Sequence, residues 1–296
     1  MAINYCSSML LTFLFLAACE VNIKSYRIKQ AFNITCDPQN SKCQRDHQIE
    51  SLEKIAANVT EEADVQIDIK ISELKLNGKL SFANLTSLTI NGEPGLTTIT
   101  CTTGGNSSAG IMLSHIKDKI VLNNLNIKFC GSQVGAKFDS DYYKVYTSAL
   151  TIVHCKNIEL NGVIIARSMG IGLTVLNHRG GEVIIKATTF KQNELPREYV
   201  KKSLFGGGGV YILVSRFLQS PYSAMSFQFS NCTFESNTAH TKHYKLLYTD
   251  VHGQAREGHG RGGGVGISIK NGVHDVNISF LGCNFTANHA FVGGGI

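Results

Sequence analysis

Apolar residues recur along this chain at intervals of two, three and two residues. In the first part of the chain the pattern is carried by Ile69, Ile71, Leu74 and Leu76, in part by Leu85, Leu88 and Ile90, by Ile120, Leu122, Leu125 and Ile127, and by Ile158, Leu160, Val163 and Ile165. Side chains two positions apart face the same side of a strand, so an unbroken strand would keep an interval of two. The interval of three therefore predicts a bend between two short strands.

The later part of the chain holds three clearer copies, which align on Phe190, Phe234 and Phe285. The equivalent positions are Val183, Phe227 and Ile278 seven residues earlier, Ile185, Phe229 and Phe280 five earlier, Thr188, Cys232 and Cys283 two earlier, and Asn193, Asn237 and Asn288 three later. A unit that repeats in this way cannot bury its own apolar face, so it must stack on the next copy.

Most copies are preceded by another short apolar strand, as in GIML, ALTIV and GVYILV. One turn of the chain thus holds three strand pieces, and the tightest turn, from Ile165 to Phe190, takes 25 residues. Helical periodicity is lacking between the strands, which argues against alternating βα units. The pattern predicts an all-β fold, a parallel β-helix over residues 65–296, with about seven turns spaced ~4.8 Å apart.

The first 64 residues do not share this pattern. Residues 1–19 resemble a signal peptide, with an apolar stretch of about ten residues that is too short to span a bilayer. The string Leu16-Ala17-Ala18-Cys19 also matches a bacterial lipoprotein cleavage box, although no basic residue precedes it. We expect residues 20–64 to form an N-terminal cap region in which residues 51–59 are a short helix.

Glycine runs and asparagines mark the ends of the strand pairs. Glycine permits positive φ and close backbone approach, so we expect the runs at the corners of the turns. The asparagines are expected to stack as a ladder that bonds the backbone at a bend, in the left-handed conformation that Asn tolerates. The C-terminal GGGI has the pattern of the first strand of a further turn, which predicts a truncated product.

The string FTANHAFVGGGI, with Phe285, Asn288 and residues 293–296, resembles the FxxN and GGA-I repeats of chlamydial polymorphic outer-membrane proteins and of secreted animal β-helix proteins. The same pairs recur as Phe190 with Asn193 and Phe234 with Asn237. The resemblance to the right-handed parallel β-helix superfamily implies the fold. For the chlamydial group it also implies surface display or adhesion.

Seven Asn-x-Ser/Thr sequons favour a eukaryotic secretory route, because this is roughly double the number expected by chance for this composition. The alternative is that Asn and Thr are simply favoured in strands and turns. The candidate glycosylation sites are Asn33, Asn58, Asn84, Asn106, Asn231, Asn277 and Asn284.

Two pairs of cysteines are candidates for disulfide bonds. Cys36 and Cys43 bracket a polar loop and are close enough to pair in an oxidising compartment. Cys232 and Cys283 occupy one position in successive copies, where Cα atoms about 4.8 Å apart fall within disulfide range. A buried ladder of thiols is the alternative for this second pair. A further stack is expected to contain Cys101, Cys130 and Cys155.

The charge and hydropathy of the chain exclude two classes of partner. The formal net charge of +6 is spread along the chain, and basic residues are not interleaved with aromatic ones, so nucleic-acid binding is not indicated. After residue 19, no segment approaches the roughly 20 apolar residues of a transmembrane helix.

Candidate catalytic chemistry is sparse. Gly258-His259-Gly260 resembles the GHG string of polygalacturonases, but the Asn-Thr-Asp, Asp-Asp and Arg-Ile-Lys strings expected with it are missing. Asp139 and Asp141 are near-adjacent acids in a predicted loop, whereas glycoside hydrolysis needs two carboxylates that face one bond. We therefore predict no catalytic residue and no cofactor.

The loop over residues 238–261 contains four histidines, which could bind zinc or copper. These residues are His240, His243, His252 and His259. A solvated polar insertion is the commoner explanation, and we predict no metal site.

The sequence predicts an extracellular protein, secreted or displayed on a surface. We expect a non-catalytic β-helix for adhesion, matrix or recognition, which contacts glycans or surface proteins through loops 194–205 and 238–261. The alternative is a polysaccharide lyase or glycoside hydrolase of the pectate-lyase-like class.

Overall fold

The computed structural model describes residues 29–34, 52, 54–76, 78–95, 97–101, 110–131, 148–176, 180–195, 208–214, 224–239, 247–249, 255–257, 262–269, 275–290 and 294–296. Regular structure in this part of the chain is nearly all β-strand. The helical residues are 52 and 54–58.

The strands are short and follow one another closely along the chain. In chain order they are β1 (Lys29–Ile34), β2 (Asp64–Ile69), β3 (Glu73–Leu76), β4 (Lys79–Ala83), β5 (Ser87–Gly92), β6 (Thr98–Cys101), β7 (Gly110–Ser114), β8 (Lys119–Asn123), β9 (Asn126–Lys128), β10 (Leu150–Val153), β11 (Asn157–Asn161), β12 (Ile164–Ala166), β13 (Leu173–Leu176), β14 (Gly181–Lys186), β15 (Thr189–Lys191), β16 (Glu194–Leu195), β17 (Val210–Val214), β18 (Met225–Ser230), β19 (Thr233–Glu235), β20 (Thr238–Ala239), β21 (Leu247–Thr249), β22 (Ala255–Glu257), β23 (Val265–Ile269), β24 (Val276–Leu281), β25 (Asn284–Thr286) and β26 (His289–Ala290).

Three long parallel sheets enclose one core. Sheet 1 has eight strands in the order β1-β2-β5-β8-β11-β14-β18-β24, sheet 2 has seven in the order β3-β6-β9-β12-β15-β19-β25, and sheet 3 has six in the order β4-β7-β10-β13-β17-β23. Successive strands such as β7, β8 and β9 belong to sheets 3, 1 and 2 in turn. The fold is therefore the predicted right-handed parallel β-helix, with the handedness that parallel crossovers adopt. Eight strands at ~4.8 Å spacing make a rod about 34 Å long.

The repeat columns predicted from the sequence are confirmed by the strand register. Phe190 pairs with Phe234, and Phe234 pairs with Phe285. Their rings stack with centroids 5.2 Å and 4.6 Å apart, and Phe229 stacks on Phe280 at 4.7 Å. Offset stacking of this kind adds about 0.5–1.5 kcal/mol per pair to the burial of the rings.

Most of the predicted bends are a single residue in the left-handed conformation, whereas the bend between Ile71 and Leu74 has none. Between sheets 1 and 2 these residues are Asn124, Gly162, Ala187, Asn231 and Gly282, with φ between 46° and 62°. After sheet 2 they are Phe129, Arg167, Gln192, Ser236 and Ala287, with φ between 52° and 57°. One such residue turns the chain through a corner and restores the inward alternation, which explains the interval of three.

The asparagine ladder is confirmed, but its predicted backbone conformation is wrong. The left-handed residue at this corner precedes each Asn, as Ser236 precedes Asn237. The amide of Asn237 donates to Phe190 O at 2.8 Å and to Asn288 Oδ1 at 2.9 Å. Its own Oδ1 accepts from the backbone and side-chain nitrogens of Asn193 at 3.2 Å and 2.9 Å. The ladder asparagine therefore satisfies buried polar groups of two neighbouring turns at once.

Glycines at the third corner, which directly precedes the strands of sheet 3, are required by close backbone approach rather than by positive φ. A Cβ on Gly209 would lie 2.5 Å from Gly264 O, and a Cβ on Gly264 would lie 2.6 Å from Gly295 O. The expectation of positive φ fails for these residues; in this run it holds for Gly262, with φ of 62°.

The N-terminal part of the fold begins earlier than the expected start near Val65. Strand β1 pairs in parallel with β2, so sheet 1 already contains residues 29–34. Leu52 is buried, and Ile55 and Val59 pack against the core. The helical residues 54–58 fall inside the predicted helix, and their role as a cap stays a prediction.

A disulfide bond links two neighbouring turns near the N-terminal end of sheet 2. Cys101 and Cys130 are bonded, with Cα atoms 4.8 Å apart, and Cys155 is a buried thiol. Of the expected stack of three cysteines, Cys101 and Cys130 are thus joined, whereas Cys155 lies at a different corner, between β10 and β11. Closing this loop stabilises the folded state by about 3 kcal/mol.

The ladder predicts a large effect for Asn237→Ala. The substitution leaves Phe190 O and two Asn193 nitrogens without their buried partner, so we expect the free energy of unfolding to fall by about 3 kcal/mol. Denaturant unfolding of the whole chain measures it. Asn161→Ala, at an exposed position of β11, is the control and should change stability by less than about 0.5 kcal/mol. Equal effects of the two substitutions would contradict the ladder.

The close backbone approach at the third corner predicts how a second pair of substitutions affects stability. Gly209→Ala pushes a methyl group into the Gly264 carbonyl and should destabilise the rod by more than about 2 kcal/mol. Gly78→Ala is the matched control, because nothing lies within 4 Å of its added Cβ. Thermal melting compares them. A neutral Gly209→Ala variant would show that the backbone separation is larger than described.

Candidate functional site: an outward polar face

The outward side of sheet 1 is a flat polar surface. Its inward neighbours, such as Ile67, Ile90 and Leu122, are buried in the core. We define the polar face by the outward residues of four successive strands: Asp64, Gln66, Asp68, Ser87, Thr89, Asn91, Lys119, Val121, Asn123, Asn157, Glu159 and Asn161. Eleven of these twelve positions carry an amide, a hydroxyl or a charge.

One column of this face is an outward ladder of side-chain hydrogen bonds. Asn123 Nδ2 donates to Asn91 Oδ1 at 2.9 Å, and Asn91 Nδ2 donates to Asp68 Oδ1 at 2.8 Å. The strand register places Asn161 in the next turn of the same column. The ladder fixes these amides at the spacing of the strands, so the face presents donors and acceptors in a regular array.

The carboxylates of the polar face bond to neighbouring turns and do not converge. Asp64 Oδ1 accepts from Ser87 Oγ at 2.6 Å, and Glu159 pairs with Lys119 at 2.8 Å. Asp64 and Asp68 are four residues apart on one strand, a separation of about 13 Å. Glu159 lies three strands from β2, which is about 14 Å. A glycosidase needs its two carboxyl groups within roughly 5–9.5 Å, so the described carboxylates of this face do not form such a pair.

Sequence reasoning did not identify this face. A signal was available, because Asn follows the second inward residue in Ile90-Asn91, Leu122-Asn123 and Leu160-Asn161. The hydrogen bonds across turns could not be inferred from that signal, because they depend on the register of strands separated by loops of unequal length.

Several predicted glycosylation sites are accessible in the fold. Exposed side chains belong to Asn58, Asn84, Asn231, Asn277 and Asn284. Asn33 lies in β1, and Asn106 falls outside the described residues. A glycan requires an outward side chain, which these five positions provide. Their modification stays a prediction.

The two cysteine pairs predicted from the sequence differ in outcome. Cys36 and Cys43 lie outside the described residues. Cys232 and Cys283 lie in adjacent turns as predicted, and the structure has them as thiols, one of the two arrangements that the sequence left open. Cys232 Sγ donates to Ile185 O at 3.3 Å, and Cys283 Sγ donates to Phe229 O at 3.5 Å.

The other predicted features fall mostly in undescribed segments. Asp139, Asp141, the GHG string and the four loop histidines lie outside the described residues, as do most of loops 194–205 and 238–261. Within the second loop, β21 and β22 form an antiparallel pair. Among the described residues, no group of three or more His, Cys, Asp or Glu side chains could hold a metal ion, and no helix is long and apolar enough to cross a membrane.

Comparison with protein-family models, with curated proteins and with solved structures found no match to this chain.

The environment of Cys232 predicts how its thiol responds to pH. Burial raises the pKa of Cys232 to about 11, from 9.0 for an ordinary thiol. In the unfolded chain the thiol loses its proton near pH 9, whereas in the folded chain it keeps it. The stability that the neutral, buried Cys232 thiol contributes is therefore present below pH 9 and is lost as the pH rises towards 11. Cys232→Ser or Cys232→Ala should flatten this part of a pH–stability profile measured by denaturant unfolding. A profile that keeps its slope in both variants would contradict the assignment.

Proposed function

We propose that this protein is a secreted or surface-displayed, non-catalytic β-helix that recognises extracellular glycans or proteins. The observation that carries the proposal is the polar face of sheet 1, a flat array of amides, hydroxyls and charges held by hydrogen bonds between turns. Such a surface offers many donors and acceptors that need little reordering on binding, which lowers the entropy cost of association.

Other features support the proposed location and mode of action. The signal-like residues 1–19, five exposed sequon asparagines and the Cys101–Cys130 disulfide are typical of a chain made in an oxidising secretory compartment. The carboxylates of the polar face are engaged by Ser87, Asn91 and Lys119, which favours a binding role over acid–base catalysis.

A blocking substitution tests the proposed surface. Thr89 lies at the centre of the polar face, so Thr89→Arg places a bulky cation on the array and should reduce binding at least tenfold. The full chain, produced through a secretory pathway, is applied to an array of purified glycans and extracellular-matrix proteins. Thr100→Arg, on sheet 2, is the matched control and should bind as the wild-type chain does.

Two results would overturn the proposal. The first is binding to the array that Thr89→Arg leaves unchanged. The second is release of oligosaccharides from a polysaccharide, with turnover abolished by replacing Asp139 and Asp141, which would establish the lyase or hydrolase alternative.

A further inference from the structure

A second surface feature lies at the corner that follows sheet 2. Phe129 and Arg167 occupy the left-handed corner position in successive turns, with φ of 57° and 55°. Bulky residues rarely adopt this conformation, which strains a residue with a side chain but not a glycine. Glycine occupies the corresponding position of the neighbouring corner at Gly162 and Gly282, so the corner itself does not require these large side chains.

The side chains of Phe129 and Arg167 at this corner are exposed and pack against each other. The Arg167 guanidinium lies over the Phe129 ring, 5.7 Å from its centroid, and Phe129 is 37% exposed. Arg167 Nε donates to Gln192 Oε1 of the next turn at 3.2 Å. Arg167 Nε is bonded to Gln192, and one face of the guanidinium packs on the Phe129 ring. The two Nη groups of Arg167 can therefore donate a pair of hydrogen bonds to one carboxylate.

Apolar and basic residues surround the pair. Ile164 is 39% exposed on the outward side of β12, and the small side chain of Ala166 lies between Lys128 and Lys191 in the strand register. Lys191 pairs with Glu235 at 2.8 Å. We call Phe129, Ile164 and Arg167, with Lys128 beside them, the corner patch. It presents two exposed apolar side chains, one oriented guanidinium and the cation of Lys128, whereas the charge of Lys191 is offset by Glu235.

We infer that the corner patch is a docking site for an acidic protein segment, in which a carboxylate of the partner pairs with Arg167 and an adjacent apolar side chain packs against Phe129 and Ile164. Aromatic residues and Arg at the centre of a patch, with charged residues around it, are the composition of protein–protein hot spots. A sugar would be met mainly by hydroxyl and amide groups, whereas here such groups lie at the edge of the patch, in Asn126, Thr189 and Gln192. The cations of Arg167 and Lys128 favour an acidic partner by charge complementarity.

The corner patch is separate from the polar face, so the inference goes beyond the proposed function. The polar face lies on sheet 1, and the corner patch lies on β12 of sheet 2 and at the corner after it, so the two can be substituted separately. Thr89→Arg should therefore have no effect on binding at the corner patch.

The test uses a phage-displayed library of random dodecapeptides selected on the whole chain. We expect enrichment of peptides with Asp or Glu next to an aromatic or aliphatic residue. A synthetic peptide from the selection should bind at least tenfold more weakly to Phe129→Gly and to Arg167→Gly. Changing its acidic residue to the amide should have a similar effect. Arg167→Lys keeps the charge without the planar fork and should also weaken binding.

The glycine variants suit this test because they relieve the left-handed strain. Both should melt at or above the wild-type temperature, so a loss of binding would not reflect unfolding. Ala187→Gly, at the corner between sheets 1 and 2, is the matched control and should bind the peptide normally.

Three outcomes would overturn the inference. They are a selection that enriches no acidic peptide, an enriched peptide that binds both glycine variants as well as the wild type, and Arg167-dependent binding to acidic glycans without any peptide enrichment.

Discussion

The in-register pairing of each turn with the next is the constraint on which the rest of this structure depends. Because every strand residue must lie beside its equivalent one turn later, the strands of one sheet keep a similar length, and from β8 onward the corners on either side of sheet 2 keep one left-handed residue. Insertions are accepted where they leave this register unchanged. The glycines of the third corner follow from the same constraint, since the carbonyl of the next turn occupies the space of a Cβ.

The constraint is met by different chemistry along the rod. The core of the first turns is mainly aliphatic, with Phe82 as a buried ring, whereas the later turns stack Phe rings in two columns. The buried residue that follows the corner after sheet 2 also changes in type along the rod. Near the N-terminal end it holds Cys130 in a disulfide, then Ser168, and then the asparagine ladder that begins at Asn193. A covalent bond and an amide ladder thus hold the same corner in different turns.

The outward surfaces differ as much as the inner columns do. On the polar face, amides and carboxylates bond to each other between turns, so the surface is ordered and hydrophilic. At the corner patch, two large side chains are kept in a strained backbone conformation and exposed. Large exposed side chains that the corner does not require, one of them an oriented Arg, favour this place as a binding site for a partner. The rod therefore carries two surfaces of different chemistry on one scaffold.

The sequence alone determined the repeat, the bends and the buried columns, because a parallel stack forces the same residue type to recur at the same position. Phe190, Phe234 and Phe285 could be aligned without coordinates for this reason, and so could the ladder asparagines. The tertiary structure decided which residue takes the left-handed conformation, that β1 joins sheet 1, and that Cys101 bonds to Cys130. It also decided that Arg167 lies over Phe129 and that Asn91 bridges Asp68 and Asn123. These contacts join turns across loops of unequal length, and no local pattern in the chain records which residues such loops bring together.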